Sequence, residues 1–75
     1  MYYYIINVML YEKIISVHVF DRRAGAQGCA YDWSVNKSKR LGFRPKFGEF
    51  KTYVYKVERN TLCTHVDSRP LMVFY

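Results

Sequence analysis

The sequence predicts a small, mainly β domain, either a five-stranded antiparallel sheet or a partly open barrel. An α+β arrangement is the alternative if residues 30–40 form one short helix. Three observations lead to this prediction. Apolar residues alternate with a period of two in several short runs, tyrosine and β-branched residues dominate these runs, and turn-forming residues separate them. The length of 75 residues predicts a single domain spanning 1–75.

The first two runs, 2–10 (YYYIINVML) and 13–21 (KIISVHVFD), are predicted strands. The first is apolar on both faces, which favours a central position in the sheet. Where the two runs meet, Tyr11, Glu12 and Lys13 form either a short turn or the middle of one long bent strand, because none of them is the Gly or Asn that a tight hairpin prefers. Residues 22–28 then break the alternation, and their two glycines predict a loop.

The stretch that follows this loop is ambiguous. Ala26, Ala30 and Trp33 have the i, i+4, i+7 spacing of one helical face, whereas polar and β-branched residues nearby weaken a helix. A helix over 30–40, ended by Gly42, and a loop both fit this pattern. Trp33 is predicted to be a core residue, with a protein-docking anchor as the alternative.

Three further strands are predicted at 50–59, 62–67 and 71–75. The first of these (FKTYVYKVER) alternates most regularly, and the last (LMVFY) is too apolar to leave unpaired. The five runs together give the five strands of the predicted sheet or barrel.

The chain carries a net charge of +6, and the charge is concentrated in its middle. Residues 22–59 hold ten cations and three carboxylates, which favours a polyanionic partner. The apolar start of the chain is interrupted by Asn7, Glu12 and Lys13, so we expect no membrane partner and a cytoplasmic location. Because so short a chain builds a small core, homo-oligomerisation is one way to stabilise it.

The main candidate site is the segment 37–51, KSKRLGFRPKFGEFK, which holds six of the twelve cations and one carboxylate. The guanidinium group of arginine and the ammonium group of lysine bind phosphate, and exposed phenylalanines stack on unpaired bases. The alternative is that these phenylalanines are buried in the core and anchor the loop. The predicted nucleic-acid or partner-binding residues are Lys37, Lys39, Arg40, Phe43, Arg44, Lys46 and Phe47, with Arg22 and Arg23 as an extension.

These features predict a small, basic, non-enzymatic protein that binds nucleic acid, with RNA slightly favoured. A first alternative is a phage-type or regulatory inhibitor that docks on an acidic or nucleic-acid-binding surface of a host protein. A second alternative is a metal-independent ribonuclease in which His18 and His65 act as acid and base. We predict no catalytic residue, metal or cofactor, since Cys29 and Cys63 do not have zinc-site spacing.

Overall fold

The structure is a computed structural model that describes residues 2–58 and 69–75. In the described residues all neighbouring strands are antiparallel, and the order across the sheet is β2-β1-β3-β4. The predicted mainly β class is therefore confirmed. The elements in chain order are β1 (Tyr2–Leu10), β2 (Lys13–Phe20), α1 (Arg23–Leu41), β3 (Phe50–Glu58) and β4 (Met72–Phe74).

The sheet is open, so the predicted barrel is wrong. In the described part of the chain, β2 and β4 form opposite edges, with β1 and β3 between them. The helix packs across one face of the sheet and buries it, so the sheet does not have to close on itself to form a core. The prediction of five strands is corrected to four in the described residues, and the strand predicted at 62–67 lies outside them.

A two-residue turn joins β1 to β2, so the prediction of a short turn is confirmed and the long bent strand is wrong. Tyr11 and Glu12 both have positive φ, 52° and 65°. This is the backbone of a type I′ hairpin, which matches the twist of the flanking strands. The Tyr11 N–H also donates a hydrogen bond to the Glu49 carbonyl at 3.0 Å, which ties the turn to the segment before β3.

The helix is longer than predicted and begins inside the predicted loop. It contains Gly25 and Gly28, which lower intrinsic helix propensity. Tertiary packing outweighs that cost, because Ala26 and Ala30 are buried against the sheet. A Cβ at Gly25 would lie 3.2 Å from the Phe20 ring, so glycine permits the close approach of helix and strand. At the other end Gly42 has φ 79° and its N–H bonds to the Ser38 carbonyl at 3.0 Å. The predicted stop at Gly42 is confirmed.

The core lies between α1 and one face of the sheet. Ala26 and Ala30 are fully buried on the helix, and Trp33 packs beside them against the same cluster. The facing sheet side chains come from even-numbered positions of β1 and β3 and are fully buried: Ile6, Val8, Phe50, Thr52 and Val54. The opposite side of the sheet, formed by odd-numbered positions of β1 and β3 and their cross-strand partners, is called the outer face.

Thr52 is a buried polar residue whose hydroxyl has no hydrogen-bond partner in the described part of the chain. Thr52→Val keeps the shape and removes the unpaired hydroxyl. We expect the free energy of unfolding to rise by about 1 kcal/mol. The melting temperature, followed by circular dichroism, should then rise by roughly 4–8 °C. Thr52→Ser is the control, since it keeps the hydroxyl and should destabilise the domain. A Thr52→Val variant no more stable than the natural chain would contradict this expectation.

Candidate nucleic-acid interface

The predicted basic segment, 37–51, forms the last five residues of α1, the loop 42–49 and the first two residues of β3. The loop is held in place by its own hydrogen bonds. The Lys46 N–H donates to Glu49 Oε1 at 2.6 Å, and the Glu49 N–H donates back to the Lys46 carbonyl at 3.0 Å. Pro45 is buried, and Gly48 adopts φ 90°, a conformation that favours glycine. The one carboxylate of the segment therefore shapes the loop.

The three phenylalanines of the segment have three different environments. Phe50 is 1% exposed and belongs to the core. Phe43 is partly exposed and stacks on Tyr11 of the hairpin turn, with ring centroids 6.5 Å apart. Phe47 is 90% exposed, and its ring stacks at 5.4 Å on Tyr75. Phe47 thus presents the more open ring of the two predicted site phenylalanines.

Three cations surround Phe47 in an open depression of about 480 Å³, which we call the basic groove. It is lined by Lys37, Arg44, Pro45, Lys46 and Phe47. Arg44 and Lys46 are exposed, whereas Lys37 is half-buried with its Nζ 5.6 Å from the centre of the Phe50 ring. A lysine stem can lie along apolar surface while its ammonium stays in water. The groove therefore combines positive charge with an exposed aromatic ring.

Arg40 lies on a neighbouring face of α1 and is already paired. Its guanidinium donates to Asp32 Oδ2 at 2.6 Å and lies 4.6 Å above the Trp33 ring. Asn36 bonds to the other Asp32 oxygen at 2.9 Å. A second depression is lined by these three polar residues and Lys39. Both members of the ion pair are about half exposed, so the pair contributes only about 0–1 kcal/mol and a phosphate can compete for the arginine.

The predicted extension, Arg22 and Arg23, lies at the other end of α1. Arg22 is the N-cap residue and Arg23 begins the helix. With a rise of 1.5 Å per residue, Arg23 lies roughly 21 Å along α1 from Lys37, the groove residue on the helix. The structure thus brings Lys37, Arg44, Lys46 and Phe47 together and leaves the two arginines apart.

His18, a residue of the ribonuclease hypothesis, lies under the helix. Its Nε2 is 2.8 Å from Ser16 Oγ, and its ring is 6.2 Å from that of Trp33. His65 lies outside the described residues, so the distance between the two imidazoles stays untested. Trp33 also stacks on Phe50 at 6.5 Å, which places it in the packing between helix and sheet.

Cys29 is half-buried on the side of α1 that faces the sheet. Burial raises the pKa of its thiol, nearby Arg40 partly offsets this, and Asp32 adds to it. A thiol with a raised pKa is a weak nucleophile at neutral pH. In the described residues, no group of three or more His, Cys, Asp or Glu side chains is placed to hold a metal ion.

Sequence reasoning missed two residues at the interface. Asp32 has a sequence signal, because Asp32, Asn36 and Arg40 follow one another at i, i+4 and i+8 along one helical face. Tyr75 has no sequence signal, because only the pairing of β4 with β3 brings this residue, which follows β4, beside Phe47.

Comparison of the chain with protein-family models, with curated proteins and with solved structures gives no match. In residues 2–58 and 69–75, no helix has both the length and the apolar character needed to cross a bilayer.

Proposed function

We propose that this protein is a small, non-enzymatic module that binds single-stranded nucleic acid, with RNA favoured, through the basic groove. The observation that carries the proposal is the 90% exposed Phe47 ring beside Lys37, Arg44 and Lys46. Cations that follow a phosphate backbone, combined with an aromatic ring on which a base stacks, are the two parts that single-strand binding requires.

Unpaired bases fit this groove better than a duplex does. Bases in a duplex are stacked on one another, so they offer no free face to the Phe47 ring. RNA exposes unpaired bases in loops and bulges, and proteins recognise them there by stacking on aromatic side chains. The Tyr75 ring packs on one face of the Phe47 ring, with the centroids 5.4 Å apart. Since Phe47 is 90% exposed, its other face is free to stack on a base.

Removing the Phe47 ring tests the stacking part of the proposal. We expect Phe47→Ala to weaken binding of a single-stranded RNA oligonucleotide about tenfold, since stacking contributes about 1–3 kcal/mol per base. The measurement is fluorescence anisotropy at fixed salt. Tyr31→Ala, which removes an exposed aromatic ring from the helix, is the control and should leave the affinity unchanged. Equal losses for both variants would contradict a specific stacking role for Phe47.

Neutralising Asp32 tests whether Arg40 contributes to RNA binding. Asp32→Asn removes a negative charge close to Arg40 and releases this arginine from its ion pair, so that it can bind phosphate. We expect RNA to bind about fivefold more tightly at low salt, the size of a charge interaction close to 1 kcal/mol. Asp21→Asn, the same change before the opposite end of α1, is the control. An Asp32→Asn affinity equal to that of the control would remove Arg40 from the proposed interface.

The class of partner is tested by a pulldown with the tagged protein, with and without nuclease. Recovery of RNA that nuclease abolishes supports the proposal. A single protein recovered in stoichiometric amount, resistant to nuclease and high salt, would favour the inhibitor alternative instead. Cleavage of RNA by the purified protein would contradict a non-enzymatic role and favour the hypothesis that uses His18 and His65.

A further inference from the structure

The outer face of the sheet is apolar although α1 covers only the opposite face. One row of side chains crosses it as Val17, Asn7, Tyr53 and Val73 on neighbouring strands. A second row crosses it as Val19, Ile5 and Tyr55. An antiparallel sheet with one solvated face normally alternates apolar and polar residues. Here the expected polar positions hold valine, isoleucine and tyrosine.

The part of this apolar surface on β2 is open, whereas Val57 of β3 is buried. Ile14, Val17 and Val19 of β2 are each more than half exposed. Tyr53 and Tyr55 are half-buried, with their rings 6.1 Å apart on the same side of β3. A contiguous exposed apolar patch of this kind marks an interaction surface, and tyrosine is enriched in the centres of such surfaces.

The outer face lacks the cluster of positive charges that a polyanionic partner would bind. Among the described strand residues that belong to this face, Lys51 is the only charged one. It lies in a depression that also contains Glu12 and Glu49. The positive charge of the chain lies mostly elsewhere, at the helix ends and in the loop 42–49. Two copies can therefore bring their outer faces together without bringing their basic surfaces together.

The outer face is also close to the size that a pair of copies needs. Strands of 9, 8, 9 and 3 residues, with a rise of about 3.3 Å per residue and a spacing of about 4.8 Å, give a flat footprint of roughly 460 Å² per copy. Two footprints give roughly 900 Å² before the projecting side chains are counted, which is close to the lower limit of about 1,000 Å² for a specific interface.

We propose that the outer face is a homodimer interface, in which two copies of this chain pack sheet against sheet. The dimer has four layers, helix, sheet, sheet and helix, with each α1 on the outside. A two-fold axis through the interface lets every outer-face residue meet the same surface of the second copy. The interface does not depend on the proposed nucleic-acid binding, since it uses the opposite side of the sheet.

The test measures association by sedimentation equilibrium. The natural chain is expected to sediment at twice the chain mass of 9.0 kDa, with a melting temperature that rises with protein concentration. Tyr53→Lys places a charge in the middle of the interface and should raise the dimer dissociation constant about 100-fold or more. Val19→Lys, at an already exposed position, provides the same test if Tyr53→Lys does not fold. Tyr31→Lys, on the helix, is the matched control and should leave the dimer intact.

Three outcomes would overturn the proposal. The first is a monomer at all concentrations with a melting temperature independent of concentration. The second is a dimer that survives both Tyr53→Lys and Val19→Lys, which would assign association to another surface such as the β2 edge. The third is a monomer whose affinity for RNA falls after Tyr55→Ala. This result would mean that RNA bases, and not a second copy, stack on the outer face.

Discussion

The Arg44→Glu/Lys46→Glu double variant is expected to bind single-stranded RNA about 100-fold more weakly than the natural chain at low salt. Both side chains are exposed in the basic groove beside Phe47, so their reversal replaces two of the proposed phosphate contacts by two repulsions. The dependence of log affinity on log salt should become shallower by about 1.4, because each lost contact to a single strand contributes about 0.7 to the slope. Titrations at several salt concentrations measure both quantities.

The matched control for this double variant is Arg22→Glu/Arg23→Glu. It makes the same change in net charge at the opposite end of α1, roughly 21 Å along the helix from Lys37 of the groove. The control is expected to lose less than about threefold in affinity, and the negative charge it introduces suits a helix N-terminus. If the two variants lose affinity equally, the partner responds to total charge, or it also contacts Arg22 and Arg23 as the sequence predicted. Either result would contradict an interface confined to the basic groove.

The largest expected effect on stability comes from Phe50→Ala. Phe50 is 1% exposed and its ring stacks on Trp33, so its removal leaves a cavity between helix and sheet. Such a change costs about 3–5 kcal/mol. A domain of 75 residues has a total stability of only about 4–11 kcal/mol. We expect the variant to be largely unfolded, or to melt far below the natural chain, in thermal and urea denaturation at equal protein concentration.

Phe47→Ala is the control for Phe50→Ala, since it deletes the same ring from a 90% exposed position three residues earlier. It should change the free energy of unfolding by less than about 0.5 kcal/mol. The pair separates the two roles that phenylalanine has in this segment. Equal destabilisation by the two substitutions would mean that Phe50 is not the packing centre described above.

The strands were predictable because their pattern is local. The alternation in β1, β2 and β3 shows in consecutive residues, and the structure places these strands where the pattern indicates. The start of the helix was not predictable in the same way. Gly25 and Gly28 signal a loop locally, and the helix there depends on tertiary packing that the local pattern does not show, namely the burial of Ala26 and Ala30 against the sheet. The open sheet follows from the same packing, because a helix of this length covers the face that a barrel would enclose.

The candidate site was predictable in composition and not in arrangement. Counting charges identified the segment, but it did not separate Arg44 and Lys46, which are exposed, from Arg40, which is bound to Asp32. The burial of Phe50 and the exposure of Phe47 follow from the direction in which β3 leaves the loop. That direction is set by pairing with β1, which lies forty residues or more away in the sequence.

The contact of β4 with the helix and the loop couples the last described residues of the chain to the basic groove. Ser34 Oγ donates to the Tyr75 carbonyl at 2.6 Å across 41 residues, and the Tyr75 ring supports Phe47. The Phe47 ring therefore has this support only while β4 is docked. If a base stacks on Phe47 as proposed, its binding stabilises the docked position of β4, and amide hydrogens of this short strand should exchange more slowly when the groove is occupied.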